Sequence, residues 1–133
     1  MVLSRHILSV MALALTSVPV AAQSAQVTVP SGQPTIVDRI ETYRDGMCQM
    51  LFIPTAKPRK NARHGTIQVT QGFWRIGGDG PCADATAHGL IVTYASNPGF
   101  TGKDEFSFDV PTKAGADQQN APTRTYRYKV TVQ

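Results

Sequence analysis

The sequence predicts an all-β sandwich, and three observations lead to this fold class. Short runs of alternating apolar and polar residues recur along the chain. Gly, Pro, Asn and Asp interrupt these runs roughly every 8–12 residues, the spacing typical of sandwiches. No long helical period appears after residue 23. We therefore expect an antiparallel sandwich of about seven strands with Greek-key connections.

The first segment predicts a secretory signal peptide rather than part of the fold. Arg5 and His6 form a basic start, residues 7–18 are largely apolar, and small residues precede Gln23. This order predicts cleavage after residue 22. The apolar run is shorter than the ~20 residues that a membrane span needs. We expect an exported protein, periplasmic or secreted, with no membrane span in the mature chain.

The mature composition predicts one domain with a mild positive charge. Removing residues 1–22 leaves 111 residues, which suits a single domain. Only Arg5 is lost among the charged residues, so 12 basic residues face 9 acidic ones, a net charge of +3. This small excess and the predicted export argue against a nucleic-acid partner. Weak attraction to anionic envelope polymers remains compatible with it.

The two cysteines, Cys48 and Cys82, predict a disulfide. An even cysteine count in an exported protein is typical of a disulfide, and two cysteines allow one intramolecular pairing. The closed loop predicts a stabilisation of roughly 3–4 kcal/mol. A redox or metal-binding pair is the alternative, but the chain contains no Cys-x-x-Cys motif.

The first half of the mature chain contains several short candidate elements. Residues 23–34 are polar and predict an extended leader or a first edge strand at 26–29, so the folded domain is placed at 35–133. Residues 35–43 fit either a strand or a helical turn. Residues 47–53 are almost continuously apolar and predict a buried strand carrying Cys48. Residues 55–64 predict a polar loop, and residues 65–70 alternate as a strand does.

The second half is more regular. Residues 77–81 form a glycine-rich turn that leads into Cys82. Strands are predicted at 90–94, 105–110 and 123–132. The start of the last one slips by one residue, which predicts a bulge near Thr125. Residues 111–122 predict a long loop.

The stretch from residue 94 to residue 110 has the chemistry of a sandwich corner. Pro98 fixes φ, and Gly99 accepts the positive φ of a type II turn. We expect Phe100 to plug the end of the sandwich and Gly102 to allow a second bend. Asp104 is expected to accept backbone N–H groups of the preceding turn. Calcium ligation by Asp104 with Glu105 or Asp109 is the alternative.

These residues resemble a known family. The run from Tyr94 through Asn97, Pro98, Gly99, Phe100 and Gly102 to Val110, with the closing strand that ends at Val132, is similar to the bacterial Ig-like, cadherin-like repeat. Residues 65–69 resemble the upstream strand of that repeat. The resemblance spans residues 65–132 as a single unit. It implies an Ig-like sandwich and transfers no catalytic residue.

The sequence offers no catalytic constellation. The mature chain has two histidines, His64 and His88, and no serine in a Gly-x-Ser-x-Gly elbow. We therefore expect no enzymatic activity, no cofactor and no resident metal. A metal site built from the histidines or the cysteines is the alternative.

Two features lie outside the repeat pattern and are candidate binding residues. The basic segment 57–63 has four cations and no counter-charge within it, and a single tryptophan, Trp74, follows Phe73. The tryptophan is expected to pack over the disulfide, or to form a binding platform with Phe73. Loop 111–122 is a further candidate contact surface. The candidate binding residues are Lys57, Arg59, Lys60, Arg63 and Trp74.

Taken together, these features predict an exported, non-catalytic domain that binds an envelope protein or an anionic cell-surface polysaccharide. Two alternatives come from other classes of protein. One is a structural envelope protein without a specific ligand. The other is a periplasmic metal-handling protein that uses His64, His88 or the cysteines.

Overall fold

A computed structural model describes residues 24–42, 48–112 and 122–133. The described residues form seven strands and no helix, which confirms the all-β class. The predicted signal peptide, residues 1–22, lies outside the described residues. The strands are β1 (Ala25–Val29), β2 (Thr35–Glu41), β3 (Lys57–Lys60), β4 (Gly65–Arg75), β5 (Thr86–Ser96), β6 (Gly102–Pro111) and β7 (Thr123–Val132).

The strands form two sheets, as expected of a sandwich. One sheet has four strands in the order β1-β7-β6-β3, and the other has three in the order β2-β5-β4. The predicted antiparallel arrangement has one exception, because β1 pairs with β7 in parallel, with Val27 opposite Val130. Residues 25–29 therefore belong to the sandwich. Of the two alternatives for residues 23–34, the edge strand is the one present.

The core lies between the sheets and follows the strand alternation. Alternate residues of β5, β6 and β7 point inward, because successive side chains of a strand face opposite sides. Phe106 stacks on Tyr128 of its own sheet at 4.7 Å and on Tyr94 of the other sheet at 6.0 Å, so aromatic rings span the core. The buried apolar core consists of Val29, Ile40, Leu90, Val92, Tyr94, Phe106, Phe108, Val110, Tyr128, Val130 and Val132.

Two hydrogen bonds cross the core between the sheets. The hydroxyl of Tyr94 donates to Asp104 Oδ2 at 2.9 Å, from the three-stranded sheet to the four-stranded one. In the opposite direction, the hydroxyl of Tyr128 donates to Asp38 Oδ2 at 2.6 Å. Burial, followed by the bond to the carboxylate, raises the pKa of each tyrosine. Each sheet therefore supplies one tyrosine and one aspartate.

The prediction of a buried strand at 47–53 is wrong for the described residues 48–53. This segment contains only one isolated bridge, at Met50, and Leu51 is 54% exposed. Cys48 has a φ of 51°, in the left-handed region that a β-strand excludes. The predicted disulfide is present and joins Cys48 to Cys82, with the Cα atoms 5.2 Å apart. It connects the segment after β2 to the turn between β4 and β5.

Two further expectations about strands need revision. The β6–β7 register is unbroken from Gly102↔Val132 to Pro111↔Thr123, so there is no bulge near Thr125. Arg124 lies on the same side as Tyr126, with its guanidinium 5.3 Å from the ring centroid. The ambiguous segment 35–43 forms β2, which has an irregular register between Ile36 and Asp38. Within the described residues, no helix is long and apolar enough to cross a membrane.

Candidate functional site

Most charged side chains of the four-stranded sheet lie on its outer face. Phe106 and Phe108 point into the core, so the residues between and beside them on β6 face outward. The register places Lys129 opposite Glu105, and Arg127 opposite Ser107. On β3, Lys57 and Lys60 pair with Asp109 and Ser107. We call this surface the basic face; its six cations are Lys57, Arg59, Lys60, Lys103, Arg127 and Lys129.

The basic segment 57–63 is not the unpaired loop that its sequence predicts. Residues 57–60 form β3, an edge strand hydrogen-bonded to β6. Arg59 reaches Asp109 at 3.2 Å, and Lys60 forms an ion pair with Glu105. The two carboxylates come from β6, 50 and 45 residues away in sequence, so the segment alone gives no sign of them.

Among the six cations, only these two form an ion pair within the described residues. Lys103 instead donates to the hydroxyl of Thr131 at 2.7 Å. Asp109 also accepts the hydroxyl of Thr125 at 2.6 Å. That hydrogen bond, followed by the nearby Arg59, holds the pKa of Asp109 below its usual value. The basic face therefore has six cations and two carboxylates, Glu105 and Asp109.

Two depressions cross the basic face and share Glu105 and Lys129. The larger has a volume of about 430 Å³ and is also lined by Arg63, His64 and Lys103. The smaller has a volume of about 260 Å³, and its polar lining includes Lys60, Ser107 and Arg127. Because Glu105 and Lys129 border both, the two depressions lie side by side; together we call them the groove, and cations line both of its parts.

The outer face of the three-stranded sheet is different. Its strands place Thr66, Gln68 and Thr70 of β4 beside Ile91 and Thr93 of β5. Its charged members are Arg39 and Glu41 of β2, which balance each other. The sandwich therefore has one basic outer face and one neutral outer face.

Trp74 lies on this neutral face. Its indole covers Gly89, where an added Cβ would lie 2.9 Å from the Cη2 atom of the ring. Phe73 points the other way and is 70% exposed, with its ring stacked on His88 at 4.0 Å. The two rings therefore project from opposite faces of β4 and do not form one platform.

Asp104 is a buried carboxylate with four hydrogen-bond donors. It accepts the backbone N–H groups of Arg63 and His64 at 3.0 Å, the N–H of Glu105 at 2.9 Å, and the hydroxyl of Tyr94. The prediction that Asp104 accepts hydrogen bonds from N–H groups of the preceding turn is therefore wrong. Its partners come mainly from the chain entering β4, some 40 residues earlier.

The turn before Asp104 has the geometry that its residues favour. The N–H of Phe100 donates to the carbonyl of Asn97 at 3.1 Å, across Pro98. Gly99 has a φ of 79° and Gly102 a φ of 132°, in the region that favours glycine. The ring of Phe100 stacks on His64 at 4.2 Å. Asp104 and Phe100 thus join the corner to the start of β4.

The two histidines of the described residues lie near opposite ends of the sandwich. His64 immediately precedes β4, whose first residue pairs with Ser96, while His88 lies eight residues earlier on β5. That separation corresponds to roughly 27 Å along a strand. Within the described residues, no group of three or more His, Cys, Asp or Glu side chains could hold a metal ion. The candidate loop 111–122 falls mostly on residues 113–121, outside the described residues.

Comparisons with known proteins do not assign a family. No protein-family model matches the chain, and no curated protein does. Among solved structures, the chain is similar to one described as "Solution Structure of Amebosin". The identity is 13%, the match covers 81% of this chain and 88% of that chain, and the TM-score is 0.41. A likeness of that size carries no argument about function.

Proposed function

We propose that this chain is an exported, non-catalytic Ig-like domain whose basic face binds an anionic cell-surface polymer, such as an acidic polysaccharide. One observation carries the proposal: the charge lies on one outer face of the sandwich. The mature chain has a net charge of only +3. Six cations nevertheless lie on the basic face with two carboxylates, and the opposite outer face is neutral.

The shape of the basic face favours a chain-like ligand. Lys129 borders both depressions, and further cations line each of them. Repeated negative charges on a polymer would meet several cations at once, and each contact is weak in water. We therefore expect modest affinity per site that falls as salt concentration rises.

The strand order supports the Ig-like assignment. The order β2-β5-β4 against β7-β6-β3 corresponds to the B-E-D and C-F-G sheets of immunoglobulin domains. The disulfide supports an oxidising compartment, in agreement with the predicted signal peptide. A periplasmic or secreted location gives the basic face access to envelope polymers.

Charge reversal with a matched control tests this proposal. Lys103→Glu combined with Lys129→Glu changes the net charge by −4 within the groove. Arg39→Glu combined with Arg75→Glu makes the same change on the other sheet, at the cost of the exposed ion pair between Arg75 and Asp84, which contributes less than about 1 kcal/mol. Binding to polygalacturonate is measured by isothermal titration calorimetry, with neutral dextran as the control polymer.

We expect the groove variant to bind at least about tenfold more weakly, a change of about 1.4 kcal/mol. The control variant should lose much less affinity, and both should keep the melting temperature of the wild type. Equal losses in the two variants would point to net charge alone. No binding by the wild type to any acidic polymer would favour the structural envelope protein instead.

A further inference from the structure

Strand β4 has a longer and more regular open edge than the other edge strands. It runs for 11 residues, and within the described residues only β5 is hydrogen-bonded to it. The other edges are short or irregular: β1 has five residues, β3 has four and contains Pro58, and β2 has an irregular register. Proteins protect edge strands with such devices, because an open ladder accepts another strand.

The sequence of β4 suits strand pairing. Residues 65–74 contain no charge and no proline, and Ile67 and Val69 alternate with Thr and Gln. Arg75 is the only charged residue of the strand. A second strand along this edge would therefore meet almost no electrostatic opposition.

An exposed ring and a partly apolar cleft lie along the same edge. Phe73 is 70% exposed and shares the inward-facing side of β4 with Ile67 and Val69. Beside these two residues, a cleft of about 260 Å³ opens between the sheets. Its apolar lining is completed by Ala56, Pro58, Phe106 and Phe108, and its polar lining consists of Lys60, Asn61 and Ser107.

We propose that two copies of this chain associate by pairing β4 with β4 antiparallel, about a two-fold axis at Thr70. Thr70 is the middle residue of the strand, so this register pairs all 11 residues. It sets Phe73 directly opposite the partner's Ile67 and diagonal to the partner's Val69, within reach of an aromatic ring. Each copy then inserts its exposed ring into the cleft of the other, as an isologous interface requires.

This register also avoids repulsion between like charges. Arg75 lies opposite the partner's Gly65, so no like charges face each other across the axis. The two three-stranded sheets join into one sheet of six strands. Both four-stranded sheets then lie on the same side of it, with the two basic faces turned in the same direction. The dimer itself does not depend on what the basic face binds.

Cysteine cross-linking tests the register. In Thr70→Cys the two new cysteines meet at the axis, where paired Cα atoms lie about 4.5–5.5 Å apart and a disulfide can form. Thr66→Cys is the matched control, because Thr66 is also exposed on the same face of β4. Its two copies would lie roughly 27 Å apart in this register. We expect Thr70→Cys to give a covalent dimer under mild oxidation, and Thr66→Cys to remain monomeric on a non-reducing gel.

Sedimentation equilibrium tests the dimer without any cross-link. Thr70→Lys places two lysines opposite each other at the axis, and Phe73→Ser removes the inserted ring. Each is expected to raise the dimer Kd at least about tenfold, with the melting temperature of the monomer unchanged for the exposed Thr70. A wild-type chain that stays monomeric up to about 1 mM, or equal cross-linking of both cysteine variants, would overturn the proposal.

Discussion

The two sheets of this sandwich have similar inner faces and different outer faces. Inside, each sheet contributes one tyrosine whose hydroxyl donates to an aspartate of the other sheet. Outside, the four-stranded sheet holds six cations, and the three-stranded sheet holds threonines, Gln68, Trp74 and the opposite charges of Arg39 and Glu41. Packing constrains the inner faces, because both must fill one core. The outer faces are free of that constraint, so their difference points to function.

The two inner aspartates also differ from each other. Asp104 is buried and accepts four hydrogen bonds, three of them from backbone N–H groups. Asp38 is half-buried and accepts the Tyr128 hydroxyl and the N–H of Arg39. We call each aspartate with its donors a clamp. The clamp at Asp104 fixes the backbone that enters β4, whereas the clamp at Asp38 holds mainly the side chain of Tyr128.

The largest expected effect comes from removing these carboxylates in turn. Asp104→Ala leaves three N–H groups and a buried hydroxyl without their acceptor, and each such group costs about 1–3 kcal/mol. We expect a loss of roughly 3–5 kcal/mol in the free energy of unfolding, against about 1–2 kcal/mol for Asp38→Ala. Urea denaturation followed by Trp74 fluorescence measures both. Equal losses would mean that the two clamps are equivalent, contrary to this account.

A smaller effect is expected at alkaline pH. Burial, followed by hydrogen bonding to a carboxylate, raises the pKa of Tyr94 and of Tyr128 above the ordinary value of about 10. Below that pH both the folded and the unfolded chain keep these protons, and stability is unaffected. Above it the unfolded chain loses them first, so the free energy of unfolding falls by up to about 1.4 kcal/mol per pH unit for each tyrosine.

Tyrosine substitution isolates that contribution. In Tyr94→Phe and Tyr128→Phe, stability is lower at neutral pH because a hydrogen bond is lost, but it should decline less steeply above pH ~10. Urea midpoints between neutral pH and about pH 11.5 measure the slopes. If both variants kept the wild-type slope, the alkaline loss would have to come from other groups.

The smallest expected effect belongs to the ion pairs of the basic face. Lys60 and Glu105 are both about half exposed, and an exposed pair contributes less than about 1 kcal/mol. We therefore expect Glu105→Gln to leave stability almost unchanged. The same variant removes a negative charge from the groove, so binding to polygalacturonate should become tighter. A large loss of stability, or weaker binding, would show that Glu105 has another role.

The sequence could predict those parts of the fold that depend on local chemistry. Alternation indicated the strands of the second half, and Pro98 with Gly99 predicted the turn at the corner. The strand predicted at 47–53 was wrong for residues 48–53, where Leu51 and Ile53 are exposed near the disulfide instead of packing in the core. Segment 57–60 was predicted as a loop because a proline and three cations are untypical of a strand. It forms an edge strand only because it pairs with β6, which is distant in sequence.

The candidate site could be predicted only in part for the same reason. Lys57, Arg59 and Lys60 were conspicuous as a cluster, and they form one side of the basic face. Lys103, Arg127 and Lys129 are spaced as ordinary outward residues of strands, and only the β6–β7 register brings them beside that cluster. The alternation of residues 123–132 was the available signal, since it places Arg127 and Lys129 on the same side of a single strand.

An NMR titration tests the central claim most directly. Backbone amide shifts are followed while polygalacturonate is added to the folded, oxidised protein. We expect shifts concentrated on β3, β6 and β7, at Lys60, Lys103, Arg127 and Lys129, that disappear at high salt. Shifts concentrated around Trp74 and β5, or spread evenly over both sheets, would contradict a binding site on the basic face.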